Sequence, residues 1–449
     1  MVLMPIETAP RSMRRSRSIS TSTRLSFYRT VSANTRGQSE EDAVIAGEEA
    51  NLEDMIRQRY QSACCQYDIF GMAEAVRACM PELMAASPVD VCQMMWGGYY
   101  ALACAGEIEL LRGRPGNAAA YFIDWLRLAR RHDDVVFSEI YKYLGVTGAC
   151  LGEFRWAKDL FQKVSSQLPG DDEIIVYERM IEEAELLGKR TVETLPRHPV
   201  RLPHGDGWRD VPIFINSRDR LNCLRQLLSW LLRAGYRNIH ILDNASTYAP
   251  LLDYYKSIAK IQGIHVVYLP NLGYQALWQS GVLDQLSIET VYVYTDSDVV
   301  PRTECPLDIV RRLFLLLRRY PFADKAGPGI IFDDVTFWDR ERVKMIHPRF
   351  YQVPVGENVY FAPVDTTFAL YRPVRSYRIF SSLRTTGDMM IRHLPWYLDR
   401  DHLPEDERYY IEHADSSSTL AASYAKGSDA RGTPEMPLTS RADAPPEGK

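Results

Sequence analysis

The sequence has no Cys-x-x-Cys pair, no glycine-rich phosphate loop, and no apolar run near the roughly 20 residues that a membrane-spanning helix needs. The longest apolar stretches, 227–232 and 313–317, are bounded by Arg225, Arg233, Arg311 and Arg318 and read as core helices. Without metal-type or disulfide-type spacing, the eight cysteines read as small buried thiols of a reducing compartment, so the chain is expected to be cytoplasmic. Charge of one sign is also scarce: the formal net charge is only -5, which offers no electrostatic footprint for nucleic acid, and no nucleic-acid partner is expected. Acidic residues are missing altogether between Glu7 and Glu40, while arginine and serine recur from Arg11 to Arg36. That composition resembles an organellar transit peptide but shows no apolar face, so residues 1–48 read as a disordered basic tail.

What is present is a 46% apolar content, enough for a packed core. Residues 49–192 hold apolar positions at helical spacing and few β-branched runs, and are expected to be helices throughout. Gly106, Gly113, Ala118 and Phe122 recur as Gly145, Gly152, Ala157 and Phe161, a constant shift of 39 residues. A small residue lets two antiparallel helices approach closely, and the aromatic fills the space against the next pair. The spacing therefore resembles tetratricopeptide repeats, alongside the simpler reading of a helical bundle. Repeats of that kind imply a protein partner. Residues 193–207, including HPVRLPHGDG, read as a linker dividing two separate cores, and 419–449 as a disordered tail.

Between them, residues 208–418 alternate short β-rich runs with helical ones: VPIFIN (211–216), then 221–235, NIHILD (238–243), 249–260, IHVVYL (264–269), 273–283 and TVYVYT (290–295). This is the signature of a parallel sheet with crossover helices, in which ligands bind beyond the carboxyl ends of the strands. Four consecutive strand ends carry polar groups: Asn216-Ser217-Arg218-Asp219-Arg220, Asp243-Asn244-Ala245-Ser246, Asn271-Leu272-Gly273 and Asp296-Ser297-Asp298. Any one could be a cap or turn, and Asp219 and Ser246 fit that use. All four together fit a ligand with a base, a ribose and phosphates. In an extended segment Asp296 and Asp298 point to one side, so both can approach one hard cation, and Mn²⁺ or Mg²⁺ is the expected cofactor.

With PIFINSRDR, ILDNAST, LPNLGYQALW, YVYTDSDVVP and VDTTFALYRP together, this half resembles the GT-A-fold glycosyltransferases, specifically the family 2-like bacterial group. The fold so implied is an α/β, Rossmann-like nucleotide-sugar-binding domain preceded by an all-α tetratricopeptide-like domain. The activity implied is metal-dependent, inverting transfer from a nucleotide-sugar donor to a hydroxyl of a glycan, lipid or protein acceptor. Carried over by position, Asn216, Arg218 and Asp243 hold the base and ribose, and Asn271 and Gly273 line the sugar-diphosphate cleft. Asp296 and Asp298 match the metal-binding D-x-D, with Asp298 the first choice as direct ligand. His393, in HLPWY, falls in the C-terminal flap as a third metal ligand or an acceptor contact, and Trp396 and Tyr397 as acceptor platforms or core.

The acceptor half lacks the Glu-Asp pair and the Gln/Arg-x-x-Arg-Trp-like motif that usually mark the catalytic base. Asp365, opening the expected strand DTTFALYR, is the first choice for the base, with a strand-end cap or a ligand to acceptor hydroxyls as its alternatives and Asp388 and Glu412 in reserve. Two rivals stand beside this reading. A nucleotidyltransferase would want a glycine-rich loop after the first strand, and NSRDR has none. A catalytically inactive scaffold would have little reason to keep an uncompensated carboxylate pair.

Overall fold

The computed structural model describes residues 54–86, 98–132, 138–167, 172–193, 198–205, 207–336, 340–379 and 381–413. The two tails expected at 1–48 and 419–449 lie outside the described residues, as does Cys92. The other seven cysteines are free thiols, and among the described residues no helix is long and apolar enough to cross a membrane.

The N-terminal part is helical as the periodicity predicts. Its main helices are α1 (Gly98–Leu111), α2 (Pro115–His132), α3 (Ser138–Leu151), α4 (Phe154–Gln167) and α5 (Asp172–Leu186), preceded by Ile69–Ala78 and Met80–Ala85. The 39-residue echo has a physical cause. A Cβ on Gly106 would lie 2.5 Å from the Phe122 ring, and one on Gly145 would lie 2.4 Å from Phe161, so each pair closes only because the glycine has no side chain. Each aromatic then stacks on the following helix, Phe122 on Tyr143 at 5.2 Å and Phe161 on Tyr177 at 5.9 Å. The turns repeat too. Gly113 and Gly152 adopt positive φ, and the next residue donates back across the helix end, Arg114 to Glu109 and Glu153 to Gly148.

The C-terminal part is built on one mixed sheet. Its strands are β1 (Ile213–Ser217), β2 (Ile239–Asn244), β3 (Ile264–Leu269), β4 (Tyr292–Asp296), β5 (Val299–Pro301), β6 (Lys325–Ile330), β7 (Pro354–Gly356), β8 (Val359–Phe361), β9 (Ala369–Tyr371) and β10 (Ser382–His393). The order is β3-β2-β1-β4-β9-β6-β10-β8-β7, with β5 paired to β10. The first four strands are parallel, as expected from their alternation with α6 (Leu221–Arg233) and α7 (Ala249–Ile258). Both faces of β1 and β2 are covered, which is why they read as continuous apolar runs rather than alternating ones. Beyond β4 the sheet changes character: β9 enters antiparallel between β4 and β6. The helix α8 (Ile309–Arg319) buries Ile309, Val310, Leu313, Phe314 and Leu317, and α9 (Glu405–Glu412) follows the sheet.

Two sequence expectations need correction. The strand read as opening at Asp365 begins at Ala369, and Asp365 lies just ahead of the bend that precedes it. The halves also do not have separate cores: helical residues such as Phe161 and Ile181 and sheet residues such as Leu370 and Leu383 belong to one apolar cluster. The residues around the linker are held on both sides, since Val192 donates to the Ala149 carbonyl and Arg372 donates to the His198 carbonyl.

Candidate functional site

Register places the polar strand ends side by side. Asn216 is level with Asp296 across β1 and β4, and Ser217 is level with Asp243 across β1 and β2. The Asn216 amide donates to the Gly273 carbonyl at 3.3 Å and to Asp296 Oδ1 at 3.4 Å. Asn244, which sequence reasoning passed over as a site residue, clamps the same loop: Oδ1 accepts from Leu272 N–H at 2.7 Å and Nδ2 donates to the Gly273 carbonyl at 2.9 Å. Gly273 sits at positive φ where the loop turns into a short 3₁₀ helix, Gly273–Gln275, and its N–H donates to Asn271 Oδ1 at 3.1 Å. Asp219 has the turn role that its type suggested, with Oδ1 accepting from Thr247 and Tyr248 N–H and so fixing the loop after β2.

Asp296 and Asp298 end β4 in different surroundings. Asp296 Oδ2 accepts from the Thr366 hydroxyl at 2.5 Å, and its N–H donates to the Thr366 carbonyl. Burial holds the Asp296 carboxyl well above the usual range, and repulsion from Asp298 and then Asp365 adds to this. Asp298 Oδ2 is 2.6 Å from Arg220 Nη1 and 3.5 Å from His393 Nε2, whereas its Oδ1 is buried with no hydrogen-bond partner. His393 Nδ1 is likewise buried and unpartnered, and burial lowers the imidazole's pKa, which favours its neutral form. Asp298 and His393 are thus 3.5 Å apart, while Asp296 is held by Thr366 and Asn216. Among the described residues, no group of three or more His, Cys, Asp or Glu side chains forms a ready-made metal cluster.

Arg220 is the feature that the sequence left least legible. It is only 5% exposed and spans two carboxylates: Nη1 reaches Asp298, while Nε and Nη2 donate to both oxygens of Glu407 at 2.8 and 2.7 Å. Its guanidinium lies 3.9 Å from the Tyr410 ring. Glu407 and Tyr410 come from α9, within the stretch 405–413 that resembles the C-terminal flap, but nothing in its sequence singles out either residue as a partner of Arg220.

The remaining candidates fall in three groups. Asp243 is buried and turned toward Tyr255, whose hydroxyl donates to it at 3.1 Å, and burial raises its pKa. Arg218 reaches the His413 carbonyl at 3.4 Å, past the end of α9. Asp365 is exposed beside the clamp on Asp296, its Oδ1 accepting from Thr366 N–H at 2.9 Å and from the Tyr377 hydroxyl at 2.7 Å. The reserve bases are placed differently. Asp388 pairs with Arg312 of α8 at 3.1 Å, and Glu412 is exposed at the end of α9. Trp396 packs on both His393 and His347 at 4.8 Å and is buried, while the Tyr397 hydroxyl donates to Asp334 at 2.6 Å.

Beneath Asp365 lies Lys325, fully buried at the start of β6, with Nζ 3.1 Å from the Tyr371 hydroxyl and 4.8 Å from that ring. Burial pushes its pKa down to about 7. Above that pH the folded lysine is neutral while the unfolded one still binds a proton, so stability rises with pH through this window. Lys325→Met is expected to remove on the order of 1–2 kcal/mol of that rise between about pH 7 and about pH 9. Urea unfolding of both proteins at the two pH values checks it, and parallel pH dependences would refute it.

No protein-family model and no curated protein sequence matches the chain. Among solved structures, it is similar to GalNAc-T7 with UDP, GalNAc and Mn²⁺, at 10% identity and a TM-score of 0.30, over 45% of this chain and 47% of that one. It thus spans about half the length of that structure. It is also similar to the mannosyltransferase PcManGT from Pyrobaculum calidifontis in complex with GDP-Man and Mn²⁺, at 12% identity and a TM-score of 0.29, over 55% of this chain and 82% of that one. The functional reading rests on the side chains rather than on these likenesses.

Proposed function

We propose that the chain is a glycosyltransferase that moves a sugar from a nucleoside-diphosphate sugar to an acceptor hydroxyl, with a divalent ion, Mn²⁺ or Mg²⁺, at Asp296-Ser297-Asp298. The observation that carries this reading is the carboxylate pair at the end of β4, two residues apart: burial pushes Asp296 toward its neutral form, and Asp298, bound to Arg220 through Oδ2, keeps a buried Oδ1 with no hydrogen-bond partner. Such a pair fits a hard cation held by one or two carboxylates and completed by substrate phosphates, which needs no preassembled cluster of three ligands. Asp298, Asp296 and His393 are the residues that would hold the ion. When bound, it would offset charge on the departing diphosphate.

The chain's own residues supply the rest. In this reading Asn216, Arg218 and Asp243, at or just past the ends of β1 and β2, hold the base and ribose. Asn271 and Gly273 line the sugar-diphosphate side, kept in place by Asn244. Asp365 takes the acceptor proton on Oδ2, since Oδ1 already has two donors. As the acceptor oxygen bonds to the anomeric carbon, the bond from that carbon to the diphosphate breaks, and the configuration inverts. The glycan, lipid or protein acceptor approaches from the side of Asp365, and the helical half provides the surface for a protein partner.

The test is a thermal-shift titration of UDP and GDP in Mn²⁺ and in EDTA. Ligand at 100 times its dissociation constant stabilises by about 2.7 kcal/mol, and this gain is expected only with the metal. Equal stabilisation in EDTA removes the metal assignment. Release of nucleoside diphosphate from a panel of nucleotide sugars separates the enzyme from an inert scaffold.

A further inference from the structure

We propose that Tyr377 is a positioning residue for Asp365 and that the helical half sets its position, so the helices form part of the catalytic apparatus as well as a surface for partners. This rests on the base role of Asp365 proposed above. The Tyr377 hydroxyl donates to Asp365 Oδ1 at 2.7 Å. Its ring is wedged edge-on between Tyr274 at 5.1 Å and Trp278 at 5.5 Å, and Tyr274 belongs to the loop proposed to line the donor cleft. One ring therefore touches the donor side and orients the acceptor-side carboxylate.

Tyr377 itself stands on a stretch between β9 and β10 that has no ladder of its own, so side chains must fix it. Some of the fixing groups come from the helices, and the rest from Asp324 and the Val364 backbone. The next residue, Arg378, places Nη1 2.5 Å from Glu173 Oε1 of α5 and 3.2 Å from Asp324 Oδ2. The other oxygen of Glu173 pairs with Lys142 of α3 at 2.6 Å. At the end of the stretch the Ser381 hydroxyl donates to Glu107 of α1 at 2.7 Å and contacts the Tyr143 hydroxyl. The Ile379 carbonyl accepts from Val364 N–H, directly before Asp365. These groups surround a cavity of about 20 Å³ lined by Lys142, Glu173, Asp324, Tyr377, Arg378 and Ser381. Although Arg378 Nε and Nη2 are buried without a hydrogen-bond partner, the pairs of Glu173 with Arg378 and Lys142 and of Ser381 with Glu107 tie this stretch to three helices, which is the property a brace needs.

The chain of contacts is serial: Glu173 to Arg378, then Tyr377, then Asp365. Serial links are non-additive in double-mutant cycles, whereas independent structural losses add. The experiment uses the full chain, with nucleoside diphosphate release from the nucleotide sugar that the wild type turns over. Tyr377→Phe removes one oxygen and keeps the ring. It is expected to lower kcat by roughly tenfold, a fraction of the usual worth of a positioned base, with KM for the donor and Mn²⁺-dependent UDP or GDP affinity unchanged. Glu173→Gln, which touches no substrate, is expected to lower kcat in the same direction by a smaller factor. Adding Glu173→Gln to Tyr377→Phe, or Tyr377→Phe to Asp365→Asn, should cost nothing more. Fully multiplicative losses, an unchanged kcat in Tyr377→Phe, or a change confined to KM or melting temperature would overturn the proposal. If Asp365→Asn itself keeps full kcat, the base role falls instead, and a wild type that turns over no nucleotide sugar overturns both readings.

Discussion

Asp365→Asn is expected to lower the rate of sugar transfer by roughly 10²–10⁴-fold, the usual worth of a positioned proton acceptor. The substitution keeps the size of the side chain and leaves an oxygen for the Thr366 N–H and the Tyr377 hydroxyl. What disappears is the basic lone pair on the side that faces the acceptor. The loss should lie in kcat, because the interaction is needed only as the acceptor proton moves, while donor affinity and melting temperature stay near wild type. If Asp365 only caps the bend before β9, the variant is instead active and about 1 kcal/mol less stable. Steady-state kinetics and a melting curve on the same preparation distinguish the two. A product that retains the donor's anomeric configuration would also remove the need for a base at this position. An active, destabilised variant would pass the base role to a reserve, Asp388 beside Arg312 of α8 or Glu412 at the end of α9.

The parts of this architecture that were legible in the sequence are those written in local pattern. Strands β1 to β4 could be read because each is a short β-rich run, with β1, β2 and β4 largely buried, and because helices with an apolar stripe separate them. The convergence of Asn216, Asn271, Gly273 and Asp296 followed from the rule that parallel strands present their carboxyl ends to one rim. The 39-residue echo pointed to the close Gly106–Phe122 and Gly145–Phe161 contacts because small-against-large packing leaves a mark at fixed spacing. What was not legible is non-local. Strand β9 is three residues long and inserts antiparallel between β4 and β6, a pairing that no period in DTTFALYRP encodes. The Glu407 and Tyr410 partners of Arg220 lie nearly two hundred residues away on an otherwise ordinary helix. The boundary at 193–207 misled for the same reason. A run of proline and glycine marks where secondary structure stops, but it carries no record of the Glu173, Glu107 and Tyr143 side chains that bind the far half.

Arg220→Met is expected to cost about 3–5 kcal/mol of folding stability, the usual cost of leaving a buried ion pair with one partner. Arg220 pairs with both Glu407 and Asp298, and the Glu407 side chain is only 2% exposed. Burial already holds the Glu407 carboxyl above its usual range even with the guanidinium beside it. Without Arg220 that carboxyl must take up a proton or reorganise, and Asp298 loses the partner of Oδ2 while Oδ1 remains unpartnered. Two further outcomes tie the loss to charge rather than to packing. Arg220→Met with Glu407→Leu should recover much of the stability, because an apolar pair of similar volume carries no desolvation cost. Mn²⁺ should stabilise Arg220→Met more than it stabilises the wild type, since the ion then takes the place of the guanidinium as a positive partner of Asp298. Urea unfolding in EDTA and in Mn²⁺ measures all three. A loss below about 1 kcal/mol for Arg220→Met would place the pair in the range of solvent-screened surface bridges and end its assignment as the buried support of the Asp298 site.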